Sequence, residues 1–411
     1  MQPVRQLDPI GLMAGLPARK VLQSLMRTGQ EARFVGGCVR DAVLDVEAED
    51  VDIATPLPPD EVMRRLKADG IRVVPTGIKH GTVTAVCDGT PFEITTLRRD
   101  VESYGRHARV EFTDDWLEDA RRRDFTFNAL SLSAEGELYD PFDGLADLSA
   151  GRVVFVGDAR ERIREDVLRI LRYFRFHARF GRGDPDPDAI AACAEYARLL
   201  PTLSGERVRE ELLRLLANDR AVQVWRLMLE RGIVTHLLPW ATDVDRLAAL
   251  DRLEWMVGEA DIMARLAALL PPSGEAAQAL AERLRLSNAQ RERLLALADP
   301  PLDIHADLTQ TERRAALQKL GPEIYRDLLM LNAATNKVPS VEILEPLAEA
   351  AAWWHIPFPL KGQDVLDRGV PPGPDVGRLV SEVEGWWTSR DFRPDRDACL
   401  AELDRRIGIL R

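Results

Sequence analysis

The sequence predicts an α/β head followed by an all-α body. Between about residue 30 and residue 156, short β-rich runs alternate with segments whose apolar residues recur at helical spacing. From residue 159 onward β-rich runs all but vanish, and helical periodicity continues to the C-terminus. The length, 411 residues, exceeds one ordinary domain and calls for about two to four.

Residues 17–28 read as an amphipathic helix built on Val21, Leu22, Leu25 and Met26. The stretch 34–55, FVGGCVRDAVLDVEAEDVDIAT, organises the rest of the chain. Phe34 and Val35 form a short apolar run that ends in Gly36 and Gly37, and residues 39–44 have the spacing of a helical turn. Asp50 and Asp52 then stand on an apolar frame of Val51, Ile53 and Ala54. In a strand such residues point to one face, where two like charges repel unless a cation lies between them. A divalent-metal site beside a phosphate-holding glycine turn is the chemistry this suggests.

Pro58 and Pro59 open a helix with Asp60 and Glu61 in its first turn, where the dipole favours acids. Residues 71–74, 82–87 and 91–97 read as strands, with Asp88-Gly89 as a tight turn between the last two. Alternation puts Phe92, Ile94 and Thr96 on one face and Glu93, Thr95 and Leu97 on the other. Residues 153–156, VVFV, read as the last strand. One long helical pattern covers 160–180, succeeded by 188–200, 205–217, 222–231 and a further series ending at 396–410. Residues 271–274 and 370–374 are Pro/Gly loops.

Bulk properties narrow the function. Hydrophobic residues at 45% and charged residues at 30% are those of a globular protein. No stretch approaches the ~18 uninterrupted apolar residues of a membrane span, and the N-terminal residues lack the pattern of a secretory leader. Cys38, Cys87, Cys193 and Cys399 are scattered, which suggests a reducing cytoplasm. The six histidines do not cluster, which argues against a zinc or HD-type hydrolase centre. A net charge of −12 means that any grip on nucleic acid must come from local positive charge. Arginine far outnumbers lysine, which a GC-rich genome accounts for ahead of phosphate recognition by guanidinium forks.

Each constellation has a plain structural reading beside a functional one. Gly36–Gly37 is a turn, or a turn whose amides face a phosphate with Arg40 one helical turn on. Glu93 faces solvent, or is a third carboxylate on a strand beside Asp50 and Asp52. Residues 121–130, RRRDFTFNAL, form a helix start capped by Asp124, or supply an arginine for a triphosphate and an acid for a ribose hydroxyl. In residues 160–180, Asp166, Arg169 and Arg172 come at i, i+3, i+6, with Arg175 and Arg179 further on. Asp166 and Arg169 meet on neighbouring turns as a salt bridge, or as a base reader. Cytosine and adenine both offer an amino donor beside a ring-nitrogen acceptor, which one Asp–Arg pair can accept while rejecting uracil and guanine. Arg207, Arg209, Arg313 and Arg314 are surface charges or RNA contacts, and Trp353-Trp354 and Trp386-Trp387 read as helix-packing residues.

Four stretches, in order and at these spacings, resemble the class II CCA-adding enzyme and bacterial poly(A) polymerase family: FVGGCVRD, EDVDIAT, RRDFTFNAL and EDVLRILRYFRF. GIKHGTV (77–83), FEITTLRRD (92–100), YDPFDGLADL (139–148) and LSGERVREELLRLL (203–216) agree with it. The resemblance covers roughly the first 220 residues. Residues 48–52 lack the Pro-Lys frequent before the first aspartate in the poly(A) polymerase branch, and Phe127 stands where isoleucine is usual.

The resemblance implies a polymerase-β-like nucleotidyltransferase head over residues 1–157, with a mixed sheet and flanking helices. It implies a helical neck with a base reader over 158–220, then a helical, RNA-binding body and tail over 221–411. Asp50 and Asp52 would bind two Mg2+ ions, with Glu93 as the third catalytic carboxylate. Gly36, Gly37 and Arg40 would hold the triphosphate with Arg123, and Asp124 would contact the ribose. Asp166 and Arg169 would read the base, supported by Arg172 and Arg175. The implied activity is addition of C, C and A to the tRNA 3′ end from CTP and ATP without a nucleic-acid template. The alternatives are A-only or poly(A) addition and a catalytically inactive RNA-binding homologue. Nothing in the sequence sets an oligomeric state.

Overall fold

The structure, a computed structural model, describes residues 1–8, 16–48, 50–104 and 107–410. The chain divides into two compact units, Met1–Leu237 and Leu238–Arg411.

The first unit is built on an eight-stranded mixed sheet. Its strands are β1 (Arg5–Gln6), β2 (Arg33–Val35), β3 (Asp52–Thr55), β4 (Arg72–Gly77), β5 (Thr82–Cys87), β6 (Thr90–Thr96), β9 (Ser131–Ser133) and β10 (Glu137–Tyr139). They lie in the order β1-β10-β9-β2-β3-β6-β5-β4, and β7 (Arg98–Tyr104) and β8 (His107–Phe112) form a separate hairpin. β3 and β6 run parallel, in the register Asp52↔Glu93 and Ile53↔Ile94. Every other pairing is antiparallel. Alternation buries Val83, Ala85 and Cys87 on β5 and Phe92, Ile94 and Thr96 on β6. Two helices close over this face, α1 (Leu16–Met26) and α3 (Pro59–Ala68), with α2 (Gly37–Val43) between them in the chain. Val21, Leu22 and Leu25 of α1 and Val62 and Leu66 of α3 share one core with Phe34, Ile53 and Ile94. Each such side chain contributes about 1.5–3 kcal/mol through burial.

Four features differ from the sequence expectation. Asp50 lies in a bend, so only Asp52 stands on β3 and the two aspartates do not share one strand face. Residues 153–156 make no strand; Phe155 forms an isolated bridge with Phe125. Asp124 caps no long helix, since only a 3-10 turn, Thr126–Asn128, comes after it.

The fourth difference concerns the pattern at 160–180, which breaks into α6 (Ala159–Glu165) and α7 (Arg169–Phe180). Asp166 sits at the break with extended backbone, φ −149° and ψ 107°. Its carboxylate accepts the Leu168 amide at 3.1 Å, a local bond that competes with helix continuation.

Behind α7, Phe125, Phe127, Phe155, Tyr173, Phe176 and Phe180 form one aromatic cluster. It joins the segment after Asp124 to α7. The helix α5 (Gly144–Ala150), which comes after α4 (Trp116–Arg121) in the chain, abuts the 126–128 turn. A Cβ on Gly144 would lie 2.4 Å from the Thr126 carbonyl oxygen, a backbone atom that cannot swing aside. Gly144→Ala is therefore expected to destabilise the protein by about 1–3 kcal/mol, the usual overpacking cost. A urea midpoint equal to that of the parent would contradict this.

Helices α8 (Pro187–Tyr196) and α9 (Gly205–Leu216) come next, with Ala221–Glu230 and Ile233–Leu237 completing the unit. The second unit is helical throughout its described residues, from Val244–Val257 to Arg396–Leu410. Trp387 is buried there between Phe358 and Phe392, at ring distances of 5.3 and 4.9 Å, whereas Trp354 is 75% exposed and packs no core. Arg313 and Arg314 are held by Glu345, Glu349 and Asp391 rather than solvated. No described helix is long and apolar enough to cross a membrane.

Candidate active site

One cleft of the first unit, about 480 Å³ in volume, gathers nine arginines and five aspartates among its lining residues. That local excess of positive charge stands out in a chain of net charge −12. Every site residue expected from the sequence lines it except Glu93.

Its floor begins where β2 ends. Gly36 has φ +74° and ψ −131°, a conformation costly for other residues. A Cβ there would also lie 2.9 Å from Arg123 Nη1, so glycine lets this guanidinium close over the turn. Arg123 is shared with the buried Asp119, at 3.4 Å. One turn into α2, Arg40 is buried. Its Nε donates to Asp41 Oδ1 at 2.9 Å and its Nη1 to Asn128 Oδ1 at 2.8 Å. Its guanidinium carbon lies 5.3 and 4.9 Å from the Phe176 and Phe180 ring centres. Paired and stacked, the cation still has N–H groups to offer a ligand, since a guanidinium carries five.

Asp52 opens β3 beside Glu93 on β6. Burial, then the Glu93 charge, pushes its pKa up to about 6; Arg123 pulls the other way and Asp50 adds to the rise. Crowded carboxylates of this kind call for a cation. No three donors converge as a preformed metal cage among the described residues. Glu93 is exposed and stays outside the cleft lining.

Asp124 is buried, yet its carboxyl is held below the usual range. Burial opposes the charge, but Arg172 and the Asn128 amide overcome it. Oδ1 accepts the Phe125 amide and Asn128 Nδ2, each at 2.9 Å, and Oδ2 accepts Arg172 Nε at 2.6 Å. Arg172 also faces Glu211 at 3.4 Å, and Glu211 accepts the Arg175 Nε.

The Arg169 amide donates to the Asp166 carbonyl at 3.0 Å, but their side chains take other partners. Asp166 Oδ2 meets Arg207 Nη2 at 2.6 Å. Arg169 Nη1 donates to Glu165 at 2.7 Å and to the Arg162 carbonyl at 3.0 Å, and its Nη2 to the Arg122 carbonyl at 2.7 Å. The break between α6 and α7 separates them, although both line the cleft. Sequence reasoning missed Asn128, Asp41, Glu211 and Arg214. Arg207, expected at the surface, instead holds Asp166. The i, i+4 spacing of Arg207 and Glu211 on α9 was the available signal.

Residues 32–154 match the family described as poly A polymerase head domain. Residues 184–244 match the probable RNA and SrmB-binding site of polymerase A. Mouse mitochondrial CCA tRNA nucleotidyltransferase 1 is 33% identical over 399 residues, spanning 94% of this chain and 89% of that protein. The chain belongs to the class II CCA-adding enzyme and poly(A) polymerase family. Within this family, the CCA-adding enzyme of Levilactobacillus brevis is 32% identical over 382 residues, spanning 89% of this chain and 92% of its own. The Bacillus stearothermophilus CCA-adding enzyme, solved in complex with CTP, superposes with a TM-score of 0.78 at 28% identity, covering 96% of this chain and 98% of its own. The α6–α7 break lies between the two matched segments.

Proposed function

We propose that this chain is a CCA-adding tRNA nucleotidyltransferase, which extends the tRNA 3′ end with C, C and A from CTP and ATP. One observation carries the reading. A single cleft holds a metal-type aspartate pair, two phosphate-type arginines, a fixed aspartate and the Asp166–Arg169 segment. Its volume falls in the range of small-molecule sites. The similarity to CCA-adding enzymes along nearly the whole chain supports CCA addition over poly(A) tailing.

The RNA 3′-hydroxyl gives up its proton to water as its oxygen attacks the α-phosphorus, the bond from that phosphorus to the bridging oxygen breaks, and pyrophosphate leaves. Two magnesium ions, held through Asp50 and Asp52, would acidify the 3′-hydroxyl and neutralise charge on the phosphates. Arg40 and Arg123 seat the triphosphate. Asp124 takes a ribose hydroxyl, for which Arg172 must yield part of its hold. Asp166 and Arg169 read the base after exchanging Arg207 and Glu165 for the nucleotide. Glu93, paired with Asp52 in the β3–β6 register, is the third catalytic carboxylate, and its charge adds to the need for a cation there. We assign transfer to residues 1–157, base reading to 158–220 and RNA binding to 221–411, in a cytoplasmic enzyme. The four cysteines, all buried and free, fit a reducing compartment.

The test is incubation with magnesium, tRNA lacking its 3′ end, and each labelled nucleotide in turn. C, C, then A is the expected product. A long A ladder on unrelated RNAs would establish the poly(A) alternative, and absence of incorporation would establish an inactive homologue.

A further inference from the structure

Four guanidiniums of the cleft rest on two phenylalanine rings of α7. The buried Phe176 has the guanidinium carbons of Arg40, Arg172 and Arg175 at 5.3, 5.3 and 4.1 Å from its ring centre. Phe180, one helical turn on, has those of Arg40 and Arg179 each at 4.9 Å. The two rings lie nearly parallel, 16° apart, with centres separated by 5.9 Å. Phe127 backs both at steep angles, 75° and 68°. Arg40 and Arg179 also share one carboxylate oxygen, Asp41 Oδ1, at 2.8 and 3.6 Å. Arg214, exposed on α9 and lining the same cleft, adds positive charge that acts on Arg175. A ring face attracts a cation within about 6 Å through its quadrupole, and it brings no full negative charge to compete with a phosphate.

Building on the proposed nucleotidyl transfer, we infer that Phe176 and Phe180 are positioning residues, an aromatic platform that holds Arg40, Arg175 and Arg179 together for the phosphates of the nucleotide and of the leaving pyrophosphate. The order along α7 supports this. Arg169 stands at its start beside the base-reading aspartate, and Arg172, three residues on, holds the ribose aspartate. Arg175 and Arg179 come last, and Arg179 is about 15 Å along the helix axis from Arg169. A nucleotide laid along the helix brings its phosphates to that end, where the positive charges gather. Left to themselves, these cations repel one another. The two ring faces offset that repulsion before a phosphate arrives, so the seat is formed in advance.

The probe is inorganic pyrophosphate, titrated with magnesium against the full chain. Phe180→Leu keeps an apolar side chain but removes the ring that carries Arg40 and Arg179. It is expected to bind pyrophosphate about tenfold more weakly, the loss for two cation–ring contacts. Phe180→Tyr keeps a ring face and is expected to bind like the parent. Pentafluorophenylalanine at position 180 keeps the shape of the ring but reverses its quadrupole. It is expected to weaken binding as leucine does, and it carries the test if Phe180→Leu is unstable. A merely structural role would respond to shape, so a fluorinated ring that binds like the parent overturns the inference. An unchanged pyrophosphate affinity in a folded Phe180→Leu overturns it equally. The titration needs no turnover. A parent enzyme that incorporates no nucleotide overturns the proposed function, whereas the pyrophosphate affinities decide the platform.

Discussion

Replacing Asp52 with asparagine is expected to lower nucleotide incorporation by roughly a thousandfold or more. A metal-ion site supplies several kcal/mol of charge stabilisation, and about 1.4 kcal/mol corresponds to each tenfold. The amide would keep the shape of the side chain but not the charge. The change would also remove one member of the Asp50, Asp52 and Glu93 group, whose charges oppose one another. The urea midpoint of the metal-free protein should therefore not fall. Incorporation near the parental rate would refute the metal assignment, and a collapsed midpoint would show that Asp52 is structural. A Mn2+ titration of the two proteins offers a readout independent of turnover: the variant should bind less.

The parts legible in the sequence were those governed by local rules. TVTAVC and PFEITT alternate cleanly, so β5 and β6 were readable, and so was the neighbouring of Glu93 with the Asp52 strand. β9 and β10 have three residues each, too few to show a period. The residues of β7 and β8, RRDVESY and HARVEF, carry charge where a core strand carries apolar residues. The expected face shared by Asp166 and Arg169 assumed an unbroken helix. The break comes from the Asp166 carboxylate, which turns to its own backbone and to Arg207, forty-one residues away.

Long-range pairing explains the remaining misses in the site. Arg40 meets Asn128 across eighty-eight residues, and Arg172 meets Asp124 across forty-eight. Neither spacing belongs to a helix or a hairpin, so no local pattern encodes it. The motifs named most residues of the cleft, but not which of them hold one another. Asp124 shows the difference. Its place beside a ribose rests on resemblance, whereas the charge it keeps while buried comes from three partners that only the fold brings to it.

Glu211→Leu is the variant with the largest expected cost in stability. Glu211 is buried on α9 and pairs with Arg175, itself 7% exposed, and with Arg172. Removing one partner of a buried pair leaves an uncompensated charge, at a cost of about 3–5 kcal/mol. Arg172 would keep Asp124, but Arg175 would keep only the face of Phe176, at 4.1 Å. Burial already pushes the Arg175 guanidinium down, and Glu211 is the group that opposes this. A urea titration of the full chain should show the loss. Adding Arg175→Met to Glu211→Leu removes the stranded charge and should restore much of the stability, because apolar replacement of a whole buried pair is often neutral. If Glu211→Leu costs under about 1 kcal/mol, the value of an exposed ion pair, then water reaches this pair and α9 is not the rigid support of Arg172 and Arg175.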